Sequence, residues 1–344
     1  MKPLTADAIL ALNEPERLFS SPDAVKDEHR DLAKHWHPDR NKDPKAVSVI
    51  AQINRLYDEA QKRIKIGHWH APGLIELLGA DGKKRRIRYR RRHTFELGEF
   101  VYGDTAIAFL IRNEFADLFE NARKRIAGLT YRDANMDKEM RRFMPRVSAV
   151  FETEDNLCVM VLEKTPDVFL LRDVLDALGG KIDPKHAAWM QSAAHNIACY
   201  LEYAGLTHNA ISPDTYFVSP EFHTGLLLGG WWYAAPFGGR LNALPSHAHA
   251  HVAPDMLRDR RAQYRLDLTL LRVMGREILG DATGMTLSHT KAAPQPMIDF
   301  LRRPTTGSAR EDYELWASTV LPASFGKRRF TKLDLSPSDV YQEK

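Results

Sequence analysis

Cysteine is scarce in this chain. Only Cys158 and Cys199 occur in 344 residues, and neither belongs to a CxxC or CxxH pair. This rules out a disulfide framework and argues against a zinc site, which needs clustered soft ligands. Both thiols stand in apolar surroundings and read as buried. Long apolar runs are missing as well: none approaches the ~20 residues of a bilayer-spanning helix. The first residues also lack the charged-then-apolar order of a leader peptide. The expectation is a cytoplasmic protein with no membrane contact. With 44% hydrophobic residues the chain can bury sizeable cores, and its length suggests two or three domains.

Positive charge is unevenly placed. Lys83, Lys84, Arg85, Arg86, Arg88, Arg90, Arg91 and Arg92 put eight positive charges into ten residues, so a net charge of +4 leaves −4 for the rest. Such a run can neutralise the phosphates of a nucleic acid or an acidic lipid. Only Tyr89 is at hand for base stacking, however, and the favoured reading is an exposed linker running into a charge-guarded edge strand. Gly67, Pro72, Gly73, Gly79 and Gly82 mark the connection.

Near the N-terminus, Ser21-Pro22-Asp23 is a helix start with a capping hydroxyl, a proline at the first helical position and a carboxylate over the positive end of the dipole. The helix predicted from there to Trp36 buries Val25, Leu32, Ala33 and Trp36 and turns Lys26, Arg30 and Lys34 to water. Asp43-Pro44 opens a second helix to about Ile64, with Val47, Ile50, Ile53, Leu56, Tyr57 and Ala60 in one stripe. Helices this short need each other, which predicts an antiparallel hairpin with His37-Pro38-Asp39 at its tip.

The run from Leu32-Ala33 through Trp36-His37-Pro38-Asp39-Arg40-Asn41 to Ile53-Asn54-Arg55-Leu56-Tyr57, with Leu18-Phe19 supplying a short packing helix, resembles the J-domain family of co-chaperones. The resemblance implies engagement of a heat-shock-seventy-class chaperone and stimulation of its ATPase. That role falls on His37, Pro38 and Asp39, with Lys26, Arg30 and Lys34 as electrostatic contacts and Arg40 and Asn41 behind the motif. Asp31 departs from the family, where many relatives are basic.

Farther on, Phe95–Gly98, Ala106–Ile111, Val147–Phe151 and Leu157–Leu162 read as strands and Ala116–Leu129 as a helix, a small sheet with one helix. Helices dominate from Phe169. The longest is predicted over Pro184–Ala204, ending at Gly205. After it, His208 and Pro213 in Leu206–Val218, then Val252-Ala253-Pro254-Asp255 and the Asp267 helix, resemble the catalytic core of protein kinases. In that family the first loop reads His-Arg-Asp, but here Ala210 takes the place of the catalytic base. Thr215 takes that of the metal-binding Asn, and Gly229 or Gly230 that of the magnesium-binding Asp. Ala108-Phe109-Leu110-Ile111 offers no lysine, and Gly98 and Gly103 make a poor phosphate cradle. Phosphoryl transfer needs all these groups. Asp214 is the one displaced carboxylate at hand, and it reads as a turn residue.

Two smaller features remain. His247, His249 and His251 would share one face of an extended segment, a possible metal chelate, but a polar stretch without metal is the favoured reading. Trp231-Trp232-Tyr233 with Trp36, Trp69 and Phe237 reads as core in preference to an aromatic platform.

The resemblances divide the chain into an all-α J domain (1–66), a basic linker (67–93), two lobes of an α+β kinase-like body (94–163 and 164–325) and a tail (326–344). The expected protein is multidomain and not an enzyme. It is a co-chaperone without cofactor or metal, whose inactive kinase-like body binds an unidentified client or partner. The alternatives are an atypical kinase or nucleotide-binding switch, and a nucleic-acid adaptor acting through residues 83–92. The negative surplus of the body could also cover the cationic helix.

Overall fold

The structure, a computed structural model, describes residues 4–65, 69, 73–327 and 331–341. Gly67 and Pro72, read above as part of the connection, lie outside the described residues. Two short helices, α1 (Ala6–Leu10) and α2 (Pro15–Leu18), precede the pair α3 (Val25–His35) and α4 (Ala46–Lys65). Regular helix begins slightly later than predicted. Ser21 caps a preliminary turn by accepting the Ala24 N–H at 3.3 Å, and Asp43 accepts the Lys45 N–H at 2.8 Å before α4. Ile9, Leu18, Phe19, Val25, Trp36, Val49, Ile53, Leu56 and Ala60 form a core of their own. On the rim His29 stacks on Tyr57 with ring centres 3.9 Å apart, and its Nε2 lies 2.9 Å from Asn54 Oδ1.

Next come β1 (Leu74–Leu78) and β2 (Lys84–Arg88), then β3 (Arg91–Phe95), β4 (Gly98–Tyr102), β5 (Ala106–Arg112), α5 (Ala116–Ala127), α6 (Ala134–Met140), β6 (Val147–Glu152) and β7 (Leu157–Glu163). Strands β3 to β7 make an antiparallel sheet in the order β3-β4-β5-β7-β6. Of the expected strand Phe95–Gly98, Phe95 closes β3 and Gly98 opens β4, with Glu96 and Leu97 the turn between them. Gly98 sits at φ +156° with the Leu110 carbonyl 2.1 Å from where a Cβ would stand, so only glycine fits.

The stretch read as a linker is largely strand. β1 and β2 form a hairpin that lays Ile75, Leu77 and Ile87, with the neighbouring Tyr89, on Val101, Ala108, Leu110 and Val159 of the sheet's outer face. Composition hid this because the inward position between Lys84 and Arg86 is an arginine. Arg85 places its guanidinium 4.1 Å over the Phe151 ring while bonding both oxygens of Asp81, so its stem packs as an apolar residue would.

The inner face of the sheet shares a continuous core with a helical body. This body comprises β8 (Phe169–Leu170), α7 (Leu171–Ala177), α8 (Pro184–Tyr203), β9 (Leu206–Thr207), β10 (Tyr216–Ser219), β11 (Thr224–Leu227), β12 (Ala235–Pro236), α9 (Ser246–His249), α10 (Pro254–Asp259), α11 (Tyr264–Glu277), α12 (Gln295–Arg302) and α13 (Ala309–Leu315). Helix α8 starts at Pro184 behind the Asp183 cap and stops before Gly205, whose φ of +66° turns the chain. Arg272 and Asp312 form a buried pair at 2.7 Å inside the body. Trp231, Trp232 and Tyr233 are core, as read from the sequence, and Phe237 is exposed on Tyr264. Both cysteines are free; Cys158 is buried and Cys199 half-buried, and burial pushes the Cys199 thiol up to about 11. No described helix is long and apolar enough to cross a membrane.

A polar seam joins the N-terminal helices to the sheet. Tyr89 and Glu14 are both buried, and burial first, then the Glu14 carboxylate that accepts from it, raises the Tyr89 phenol well above its usual range. Beside them Arg63 pairs with Glu16 at 2.6 Å, and Arg92 holds Glu99 through two bonds of 2.8 and 2.6 Å. Replacing Tyr89 by Ala removes a buried ring and the donor to Glu14. The expected loss is about 3 kcal/mol, read calorimetrically as a lower Tm, against about 1 kcal/mol for Tyr89→Phe. An unchanged Tm for Tyr89→Ala would show that the attachment does not depend on this seam.

Candidate functional site

The turn between α3 and α4 is built from its own side chains. The His37 carbonyl accepts the N–H groups of Arg40 (2.9 Å) and Asn41 (2.8 Å), and His37 Nδ1 accepts the Asp39 N–H at 3.2 Å. Asn41 ties the turn to both helices, donating to the His35 carbonyl at 3.2 Å and accepting the Asp43 N–H at 2.9 Å. Pro38 restricts the backbone between them. The His37 and Asp39 side chains are therefore presented to solvent, 54% and 86% exposed and 3.6 Å apart. Lys26, Arg30, Lys34, Asp31 and Arg40 are exposed as well. Arg30 is partly neutralised by Asp27 at 3.2 Å, a partner the sequence reading missed although the i, i+3 spacing signals it. Among the described residues nothing buries the cationic side chains of this face.

A second cluster surrounds Asp267 at the start of α11. Its buried carboxylate accepts the backbone N–H groups of His208 (2.7 Å) and Asn209 (2.6 Å). Burial raises it to about 7 against the lowering effect of these two donors. Asn209 adopts φ +62°, fixed by bonds from its Nδ2 to Thr207 Oγ1 and the Tyr233 carbonyl, each 2.9 Å. His208 is wholly buried, pushed down to about 3 by desolvation, and meets the Gly229 carbonyl at 2.9 Å. The structure thus gathers His208, Ala210, Pro213, Thr215, Gly229, Gly230 and Asp267 in one neighbourhood, but not Asp255. That residue lies on α10, paired with Arg265 at 2.8 Å.

Most of these positions are engaged in packing or in bonds within the cluster. Ala210 is a buried methyl. The Thr215 hydroxyl donates to the Ala210 carbonyl at 2.7 Å and accepts the Ser212 N–H at 3.0 Å. No side chain fits at Gly230, where φ is +79° and a Cβ would come within 2.7 Å of His208. Asp214 is held in a two-bond pair with Arg172 (2.9 and 3.0 Å), which also pairs with Glu277. His247 and His249 lie on the short helix α9 with His251 just beyond it, so the expected extended alternation is absent. Among the described residues no three ligating side chains come together.

Aromatic rings fill the space between the sheet's inner face and the body. His93 and Tyr102 stack at 5.7 Å, Tyr102 meets Phe217 at 6.1 Å, and Tyr341, from the C-terminal segment, reaches in to 5.6 Å from Tyr102 and 5.7 Å from Phe169. Tyr102, Phe169, Phe217 and Tyr341 are all buried. Lys164, close to this region, spends its ammonium on the carbonyls of Asp104 (3.1 Å) and Thr165 (3.0 Å). No local pattern signals the Tyr341 contact, which joins residues far apart in the chain.

No protein-family profile matches the chain. It is 22% identical over 179 residues to DnaJ homolog subfamily C member 16 of Rattus norvegicus, covering 51% of this chain and 22% of that protein. The Homo sapiens protein of the same name is 30% identical over 94 residues, 27% of this chain and 12% of the relative. That of Mus musculus is 35% identical over 72 residues, 20% of this chain and 9% of the relative. The chain thus spans at most about a fifth of the length of these relatives. Over the matched residues the chain is weakly similar to these DnaJ homologs.

Proposed function

We propose that the protein is a J-domain co-chaperone that recruits a heat-shock-seventy-class chaperone and stimulates its ATPase. The observation that carries the reading is the solvent-presented His37-Pro38-Asp39 turn beside the cationic face of α3, in a chain weakly similar to DnaJ homologs. Asp39 and His37 are the contact groups, Lys26, Arg30 and Lys34 steer the encounter, and Arg40 and Asn41 complete and brace the tip. Electrostatic steering of this kind acts mainly on association rate and weakens with salt.

The remainder serves as an inactive kinase-like scaffold for a client or partner. Supporting this, a buried methyl stands at the position of the base, no carboxylate can stand at Gly230, and Asp214 is already committed to Arg172. The ring-filled space between sheet and body gives a nucleotide little room, which disfavours the reading of an atypical kinase or nucleotide switch.

Each half of the proposal has its own test. Lys26→Glu with Arg30→Glu alters only exposed side chains and is expected to weaken binding to the ATP-bound chaperone by about tenfold or more at low salt, measured on an immobilised surface with Tm unchanged. Equal affinity for the variant would remove α3 from the contact. ATP with magnesium is expected to leave the Tm of the protein unchanged, since only a ligand that binds the folded state raises it. A concentration-dependent rise would favour the nucleotide switch.

A further inference from the structure

We propose that the outward face of the β1–β2 hairpin is a docking surface for an acidic, extended polypeptide segment. This inference does not depend on whether His37 engages a chaperone. It starts from how the fold sorts the basic run. Arg85 is committed to Asp81, Arg90 to Asp104 at 3.0 Å, and Arg92 to Glu99, while Arg91 donates to the Val340 carbonyl at 3.4 Å. Lys84, Arg86 and Arg88 alternate with the inward Arg85 and Ile87 and all point outward, exposed. Across the ladder they face Leu78, Glu76 and Leu74. The outward face is thus a row of three cations beside a row of leucine, glutamate and leucine, the leucines half-buried.

Glu76 on that face pairs with Arg86, which stays 71% exposed. Among the described residues no carboxylate lies within ion-pair distance of Lys84 or Arg88. With the rest of the chain at −4, this positive charge is a local feature and not part of a general field.

Two observations select the partner. Tyr89, the aromatic residue of the run, is buried and bonded to Glu14, so no ring of the run is available to stack a base, which single-stranded nucleic-acid binding uses for much of its affinity. The flanking leucines instead offer apolar contact between the charges. Strand β2 ladders with β1 alone, so its outer edge is unpaired, whereas β1 is tied at its end to the β6–β7 turn by the Glu154 N–H on the Leu78 carbonyl (2.9 Å) and the Ala80 N–H on the Glu152 carbonyl (2.8 Å). An extended segment can add alongside, with its side chains alternating at the spacing of Lys84, Arg86 and Arg88.

The test uses the full chain and fluorescence anisotropy with two probes of equal charge, a labelled peptide of mixed Glu and Leu and a labelled single-stranded oligonucleotide. The peptide is expected to bind the wild type, more weakly as salt rises. It should lose about tenfold in affinity to a Lys84→Gln, Arg86→Gln, Arg88→Gln variant of unchanged Tm. A control variant, Lys138→Gln with Arg142→Gln, in the basic cavity of about 280 Å³ beside α6, should bind as the wild type does. Absence of peptide binding, equal binding by the hairpin variant, or tighter binding of the oligonucleotide each overturns the proposal. The first would leave the cations as a guard of the strand edge, and the last would make the surface a nucleic-acid site.

Discussion

The packing of α3 against α4 is the constraint on which the functional reading depends. Val25 and Trp36 on one helix and Val49, Ile53, Leu56 and Ala60 on the other bury one stripe each, and burying those stripes leaves no freedom in what faces out. The His37-Pro38-Asp39 turn must stand at the end of the hairpin, and Lys26, Arg30 and Lys34 must line its water-facing side. Asn41 then fixes the turn by bonding to the helix on each side. Each buried aliphatic side chain contributes on the order of 1.5–3 kcal/mol, far more than any exposed ion pair at the tip. The tip is a consequence of the core and does not hold the hairpin together.

The same division of labour recurs in the body. Asp267 is buried at the start of α11 and fixes the loop of His208 and Asn209 through two short backbone bonds, a costly burial offset by well-aimed donors. In that loop the Thr215 hydroxyl bonds the Ala210 carbonyl and Asp214 pairs with Arg172. Rings from the sheet, the body and the C-terminal segment fill the adjoining space, so the sheet and the body share one core. The Glu14–Tyr89 contact in turn attaches the N-terminal helices to the outer side of that sheet, through residues distinct from the exposed tip.

Much of this was legible in the sequence wherever period and punctuation agreed. The α3 stripe, the proline and glycine bounding α8, and the strands β5, β6 and β7 fell close to their predicted places, as did most of the α4 stripe, although Val47 is exposed and Val49 is buried in its stead. The tip residues were legible for the same reason, since a short tripeptide between two amphipathic helices has few places to go. The hairpin of β1 and β2 was not, because Arg85 occupies an inward position and an arginine stem over Phe151 carries no hydrophobic signal in composition. Nor was the close approach at Gly98, whose need for glycine arises from the Leu110 carbonyl of the next strand. The contacts of Tyr341 with Tyr102 and of Tyr89 with Glu14 join residues from different elements, and no local pattern encodes such pairs. The extended alternation considered for His247, His249 and His251 does not form, because a period of two has meaning only in an extended chain and this one turns helical.

The most direct measurement is single-turnover ATP hydrolysis by a heat-shock-seventy-class chaperone, alone, with this protein and with its His37→Gln variant. The account predicts a faster turnover with the wild type and the basal rate with the variant, both proteins having the same Tm. No acceleration by the folded wild type, or equal acceleration by the variant, would contradict it.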